Sequence, residues 1–438
     1  MLKKIIYCFS GIYLLLLSSF VGKAQDALSL EQAIEIGLKN NFDIQIANKN
    51  RDIAGINNHW GNAGRFPTIS FNASGSASPT YRSSSDDMTN YNASSSVNLE
   101  WVLFDGFRVN ITKQKLQDLD NLSGGQAAVV VEDAIRKIIS AWYLALIEQE
   151  KTDVQQDMMK LSKDRYDQSQ RLTEIGSSTK YDLLQAQNAW LEDQGNYLSQ
   201  KVNAKNARRN LYYVMGSDAS KVSWQIVGDL KAKDKDFVMS DLVDKMYRDN
   251  NNLKNQYINQ KLMVDEQGLA KANMFPKISF NAAVTEAYSK VDPPIPTGSQ
   301  GWSTSPSVSL KLSYNLFNGG NRKRAIQIAN INKDISDLKI DDMKISLSNQ
   351  LSQYYDLYEV NKELLKLASE QVKASKLNLD ISKQKFRSGA INSFNFRDVQ
   401  VMYLNAQTAH LNALYKLQLS YVDLVTITGG VIAEYSSK

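Results

Sequence analysis

The sequence predicts a mixed α and β chain, written as two tandem structural repeats in which long polar helices frame short pairs of strands. Three observations carry that prediction. "FPTISFNA", Phe66 to Ala73, returns as "FPKISFNA", Phe275 to Ala282, 209 positions later. "LFDG" at Leu103–Gly106 returns as "LFNG" at Leu316–Gly319, and Gly176 of "EIGSSTKYDLLQAQ" matches Gly389 of "RSGAINSFNFRDVQ", both 213 positions on. The segments that begin at each FPxISFNA alternate apolar and polar residues with period two, the mark of a strand with one wet face. Three ordered landmarks at nearly one offset mean a duplication of about half the chain, far too long for a solenoid unit.

The first 24 residues read as a secretory signal peptide. Lys3 and Lys4 form a basic start, Ile5 to Val21 is mostly apolar, and Gly22 and Ala24 are small residues at cleavage spacing before Gln25. Cys8, the single cysteine, lies inside this leader and lacks a lipoprotein context, so the mature chain is expected to start at Gln25 without a lipid. That excludes disulfides, thiolate metal sites and a cysteine nucleophile. The formal charge is +5, and Lys3, Lys4 and Lys23 leave with the leader, so the rest carries +2. Near neutrality gives no footprint for nucleic acid. No later apolar run reaches the ~18 residues of a membrane helix. Such a chain is periplasmic, secreted, or crosses a membrane as strands.

The first repeat covers 25–215, a connector 216–239, and the second repeat 240–438. Each repeat opens on a polar helix: Ser29 to about Ala63, broken near Asn40–Asn41, and Ser240 to about Asn273, broken near Asn250–Asn252. Strand pairs follow at about 66–104 and 275–317. Pro79 to Asn92 and Lys290 to Pro306, rich in Ser, Asp, Asn, Pro and Gly, read as solvated loops between the strands of each pair. Very long helices run from about Phe107 to Ile175 and from Gly320 to Ser388. Returning helices end near Met215 and Ile427. The connector has room for a short strand at Ser223–Val227.

The strands carry the argument about environment. Ile69, Phe71, Ala73, Gly75 and Ala77 oppose Thr68, Ser70, Asn72, Ser74 and Ser76; Val308, Leu310, Leu312, Tyr314 and Leu316 oppose Ser307, Ser309, Lys311, Ser313 and Asn315. The neighbouring helices are too polar to cover the apolar faces, and about a dozen residues is near the length of a tilted membrane strand. Phe66, Trp101, Phe104, Phe275, Tyr314 and Phe317 stand near strand ends, where interfacial aromatics belong. Leu99, Trp101, Leu310, Leu312 and Tyr314 are therefore expected to face lipid, with Leu312 at mid-bilayer. Four strands cannot close, and an open edge in lipid leaves backbone groups unsatisfied. Several chains must share one barrel: two would make a plugged eight-strand barrel, three a twelve-strand barrel with room for a pore. In Asp342 to Lys376, Ile345, Leu351, Tyr354, Tyr358, Leu364 and Leu367 recur at three- and four-residue steps, which reads as a coiled-coil seam.

Chemistry is sparse. His59 and His410 each sit in a helical stretch without a second histidine at ligand spacing, and no Gly-rich phosphate loop precedes a helix. No catalytic residue, metal ligand or cofactor is expected. Gly176 and Gly389 suit helix C-caps, and Ser178 or Thr179, and Asn392 or Ser393, can cap the helices that follow.

Taken together, "LSLEQAIEIGLKNN", the paired strands, the paired "LFDG" and "LFNG", and the paired turns resemble the TolC-type outer-membrane efflux family over the whole mature chain. The resemblance implies a homotrimer: a twelve-stranded outer-membrane β-barrel, four strands per chain, continued by a long α-helical barrel through the periplasm, with residues 216–239 in an equatorial region. It implies the exit duct of a multicomponent efflux or type I secretion system. The implied partners are outer-membrane lipid, a periplasmic adaptor (membrane fusion) protein and an inner-membrane pump. It implies adaptor docking at the turns of Gly176, Ser178, Thr179, Gly389 and Ser393. In the family two acidic positions one turn apart form a periplasmic gate; here they fall on Asn395 and Asp398, so one carboxylate ring remains, and Asp182 is the first-repeat equivalent of Asn395. The alternative, a structural or adhesive coiled-coil protein of the envelope, leaves the strand pairs unexplained.

Overall fold

The computed structural model describes residues 27–81, 87–220, 222, 224–230, 235–294 and 300–436. The expected leader, with Cys8 and the cleavage before Gln25, lies outside them, as does Ser223 of the connector. In chain order the first half holds β1 (Ala27–Leu28), α1 (Leu30–Asn40), α2 (Phe42–Asn57), β2 (Thr68–Thr80), β3 (Met88–Phe104), α3 (Arg108–Glu174) and α4 (Lys180–Val214). Then come β4 (Gln225–Ile226), α5 (Met239–Asp249), α6 (Asn251–Ala272), β5 (Lys277–Asp292), β6 (Gly301–Ser313), α7 (Asn321–Arg387), α8 (Ser393–Ile427) and α9 (Val431–Ser436). α3 and α7 are each 67 residues, roughly 100 Å at 1.5 Å per residue, and α4 and α8 are each 35. The strands run further than the composition of their connections suggested. Much of Pro79–Asn92 and Lys290–Pro306 is strand, because Ser, Thr and Asn there alternate along a wet sheet face.

The chain divides into two compact units. One is drawn from residues 27–46, 128–250 and 345–436, the other from 47–127 and 251–344. In the first, Leu28, Ile34, Ile138, Trp142, Leu211, Met215, Met246, Leu351, Tyr358, Tyr421 and Leu424 are buried, and the rings of Tyr358 and Tyr421 lie 6.3 Å apart. β1 and β4 pair in parallel, Leu28 opposite Ile226. α1 starts in a capping box: Ser29 Oγ accepts from Gln32 N at 3.3 Å, and Gln32 Oε1 accepts from Ser29 N at 2.9 Å. The helix breaks are fastened in the same way twice. Asn41 Nδ2 donates to Val214 O at 2.8 Å, and Asn250 Nδ2 donates to Ile427 O at 2.9 Å. Each asparagine thus satisfies a terminal carbonyl of a returning helix. A Cβ at Gly216 would lie 2.3 Å from Asn40 O, and one at Gly429 2.4 Å from Asp249 O, so both junctions require glycine.

The second unit holds the sheet and the helix segments next to it. Its helices are joined largely by polar ties: Asn58 Nδ2 donates to Gln117 Oε1 at 2.9 Å, Gln267 Nε2 donates to Asn330 Oδ1 at 2.7 Å, and Lys115 pairs with Glu266. Asp118, buried on α3, stands beside Asp265 of α6. Burial and then the Asp118 charge push Asp265 up to about 6. The fold favours the neutral acid. That contribution is complete below the ordinary carboxylate pKa near 4 and is lost as pH rises through about 6. Asp265→Asn, neutral at every pH, is expected to melt above wild type at pH 8, and the gain should vanish toward pH 4. Melts of detergent-solubilised protein at both pH values check it; a gain of equal size at both would reject the shared burial as its cause.

The single seam read into Asp342–Lys376 is two seams. Leu351 and Tyr358 are fully buried within the chain, whereas Ile345, Leu364 and Leu367 are exposed. Three- and four-residue steps drift around a straight helix, so they do not separate adjacent faces. His59 lies beyond the end of α2 and not within it: its Nδ1 accepts from Gly61 N at 3.0 Å in a turn.

Candidate functional site

The sheet is antiparallel, in the order β2-β3-β5-β6. Its register sorts every side chain. Ile69, Leu99, Ala282 and Val308 form one cross-strand row, and Phe71, Val97, Val284 and Pro306 the next. Trp101, Phe280 and Leu310 continue the same face on the other side, followed by Phe104, Ile278 and Leu312. A register shift between Val102 and Phe104 sets Phe104 opposite Ile278. A bulge thus returns an aromatic to a face that strict alternation would deny it. The opposite face carries Thr68, Glu100, Asn281 and Ser309 in one row, then Ser70, Asn98, Ala283 and Ser307. Leu99, Trp101, Leu310 and Leu312 therefore share one face, away from Lys311. Tyr314 lies just past the end of β6.

Aromatics mark both ends of this face, which is apolar except for one row between them, where Glu286 stands with Ala73, Ser95 and Thr304 and accepts from the Thr304 hydroxyl. At the helix-side end Phe104, Phe107 and Phe275 meet edge to face, with centroids 5.4–6.5 Å apart. Trp101 Nε1 donates to Arg65 O at 2.9 Å, Arg322 lies over Tyr314 at 5.4 Å, and Phe66 stands by His59. Phe317 is exposed. At the far end Tyr288 and Trp302 lie 5.2 Å apart, with Tyr91 nearby in β3. This second belt was not singled out from the sequence, although aromatics near strand ends were the available signal. Ten residues separate Ile278 from Tyr288, roughly 34 Å along a strand and roughly 25 Å across a bilayer at barrel tilt.

The helix hairpins end in two similar turns. Gly176 and Gly389 have φ of 72° and 76°. Ser177 N donates to Leu172 O at 2.8 Å and Ala390 N to Lys385 O at 2.8 Å, which closes each helix in a Schellman motif. Thr179 is the first N-cap: its Oγ1 accepts from Asp182 N at 3.1 Å. The Asp182 carboxylate accepts from Thr179 Oγ1 at 2.7 Å and Ser178 Oγ at 3.3 Å. The Thr179 hydroxyl bond above all holds its pKa below the usual carboxylate value. Asn392 caps the second helix, with its Oδ1 accepting from Asn395 N at 2.9 Å, and Ser393 is the first helical residue. Asn395 and Asp398 are exposed on α8.

Behind these turns sits a charged cluster that sequence spacing could not reveal. Arg397 Nη1 and Nη2 donate to Asp193 Oδ2 and Oδ1 at 2.6 and 2.9 Å, and Asp193 is 1% exposed. Arg165, 4% exposed, donates from Nη1 to Ser393 O at 3.1 Å. Its Nε and Nη2 have no hydrogen-bond partner, and burial pulls it down to about 10. Phe386 stacks on Phe396 at 4.9 Å and forms the local core with Leu379. Among the described residues no three metal-ligating side chains are gathered, and no helix is long and apolar enough to cross a membrane.

Comparison with known proteins agrees with this architecture. The outer membrane efflux protein family model matches residues 33–217 and 242–430. The chain is 23% identical over 413 residues to the probable efflux pump outer membrane protein TtgC of Pseudomonas putida KT2440, covering 92% of this chain and 83% of that protein. The Campylobacter jejuni CmeC outer membrane channel superposes with a TM-score of 0.75 at 17% identity, over 93% of this chain and 89% of CmeC. The open state of the Neisseria gonorrhoeae MtrE outer membrane channel gives 0.72 at 17%, over 92% and 89%. Both likenesses establish the fold. A family match over most of the chain leads to one conclusion: this chain belongs to the outer membrane efflux protein family, whose members are outer-membrane channels of efflux systems and not enzymes.

Proposed function

We propose that three copies of this chain form one exit duct, with the strands as a twelve-stranded barrel in the outer membrane and the helix hairpins as a periplasmic tunnel. The observation that carries it is the four-stranded sheet with one apolar face and two unpaired edges, β2 and β6. In lipid each edge needs a partner strand. Pairing β6 of one copy with β2 of the next supplies it, and three copies close with an open lumen. Exposed stripes on the helices support the same assembly. Ile328, Ile331, Ile335 and Leu338 on α7, and Leu184, Leu191 and Leu198 on α4, recur at heptad steps and are exposed on the single chain. On this reading residues 25–215 and 240–438 are tandem repeats that each supply one strand pair and one hairpin, and 216–239 joins them as an equatorial segment.

The hairpin ends are the docking points for a periplasmic adaptor that links the duct to an inner-membrane pump. Gly176, Ser178, Thr179, Gly389 and Ser393 would present six turns in one ring. Relatives such as TtgC and ArpC are named as efflux pump outer membrane proteins, which favours efflux over protein secretion. Asp398 forms the periplasmic gate, one carboxylate per chain, with Asn395 adding polarity one turn away. Asp182 serves its helix cap, since its carboxylate is held by Thr179 and Ser178. Phe66, Trp101, Phe104, Phe275, Tyr314 and Phe317 anchor the barrel at the periplasmic interface of the lipid.

Planar-bilayer recording with purified protein tests the duct; a monomeric rod without conductance would reject it. For the gate, Asp398→Ala is expected to weaken block by a trivalent cation and raise conductance, with assembly unchanged, because an exposed carboxylate contributes little to packing. Unchanged block would return Asp398 to the status of a solvated helix residue.

A further inference from the structure

On the polar face of the sheet the charges are not scattered. Reading the four strands through, that face is Ser, Thr and Asn with a few small or apolar residues, except at the helix-side end. There stand Glu100, Lys311 and Lys277. Glu100 lies in the row of Thr68, Asn281 and Ser309; Lys311 is in the next row, with Ser279 and Val102; Lys277 is in the one after, opposite Ser313. Three consecutive rows span roughly 14 Å along the strands. All three side chains are exposed, and among the described residues none makes an ion pair.

We propose that Glu100, Lys277 and Lys311 form a charged collar at the inner mouth of the strand lumen, and that this collar sets the ion preference of the barrel. The inference rests on three chains closing one barrel with the polar face inward. Each chain then contributes two lysines against one glutamate, so the collar carries +3 and favours anions. A ring of fixed charge in a pore with low-dielectric lipid walls focuses its potential on the axis and controls which permeant ion is enriched. The hydroxyl- and amide-lined stretch beyond it adds hydrogen-bonding groups without a competing charge. Cargo passing the collar meets basic groups first and a neutral polar wall next, a sequence suited to anionic or neutral polar groups leading the way. The collar lies on the strands, so it acts independently of Asp398 on the hairpins.

The test is the reversal potential of single channels in a salt gradient. Lys277→Gln with Lys311→Gln turns the collar from +3 to −3 and is expected to shift selectivity toward cations. Glu100→Gln turns it to +6 and is expected to shift selectivity toward anions. A second readout uses the chain's lack of cysteine outside Cys8. Lys311→Cys should react with a membrane-impermeant charged thiosulfonate and change the current. Leu310→Cys, on the apolar face, and wild type should not. Channels that conduct normally but show no opposite shifts overturn the collar and leave the duct standing. A current change at Leu310→Cys and none at Lys311→Cys overturns the assignment of faces. Wild-type protein that forms no channel overturns the duct, and the collar with it.

Discussion

Asp193→Ala is expected to destabilise the helix hairpins by about 3–5 kcal/mol, the cost of breaking a buried ion pair from one side. The aspartate is 1% exposed and accepts both forks of Arg397, at 2.6 and 2.9 Å. Arg165 lies close enough for Arg397 to lower its pKa and Asp193 to raise it, while burial lowers it most. Removing the carboxylate leaves two guanidiniums together. Glu192, 3.7 Å from Arg397 and 68% exposed, is too well solvated to replace the lost charge. Asp193→Asn separates charge from shape: it keeps the volume and one acceptor, and it should fall between wild type and alanine. Arg165→Met should move stability little or upward, because Nε and Nη2 are buried without partners and an apolar side chain of similar length removes that desolvation cost. Thermal melts of the detergent-solubilised protein check the series. An alanine variant that melts with wild type would mean that water or a neighbouring chain compensates Arg397.

The second large effect is on the lipid face. Val284→Arg is expected to cost roughly 2–4 kcal/mol of barrel stability, and Leu312→Arg roughly 0–1, since the penalty for a cation falls from the bilayer midplane to its edges. The register distinguishes them. Val284 faces Val97 and Pro306, midway between the row of Ile278 and the row of Tyr288. Leu312 faces Ile278 in the row of Phe104, at the aromatic border. The cross-strand rows thus move the expected mid-bilayer position from Leu312 to Val284. Lys311→Ser, one residue away on the opposite face, should assemble normally. The yield of assembled oligomer in outer-membrane fractions orders the three. Equal loss for Lys311→Ser and Val284→Arg would mean that the faces are exchanged, as a one-residue slip would do.

Local patterns in the chain were enough for the class of fold. Alternation at Ile69–Ala77 and Val308–Leu312 defined the two faces, because period two is a property of the strand itself. Glycines at 176 and 389 announced the hairpin ends, because a left-handed residue is needed to close those helices. The breaks near Asn41 and Asn250 were visible as polar interruptions in helical runs. Order along the chain then made the family recognisable.

What those patterns could not contain is the pairing of residues far apart. Strand order β2-β3-β5-β6 puts the second strand of one repeat beside the first of the other, and only that pairing brings Trp101 opposite Phe280. The seam on α7 split in two because burial depends on which neighbour faces each side, and steps of three and four residues suit both faces. Asn41 and Asn250 gained their purpose from Val214 and Ile427, 173 and 177 residues away. Arg397 and Asp193, 204 residues apart, look like ordinary charges of polar helices until the hairpins pack and remove water from between them. The sequence by itself therefore determined which elements form, the alternation of the strand faces and the turns that end the hairpins, since these follow from backbone periodicity and local hydrogen bonding. Tertiary structure alone decided strand register, the cross-strand row of each residue and the buried ion pair, since these depend on which distant segments come together and exclude water.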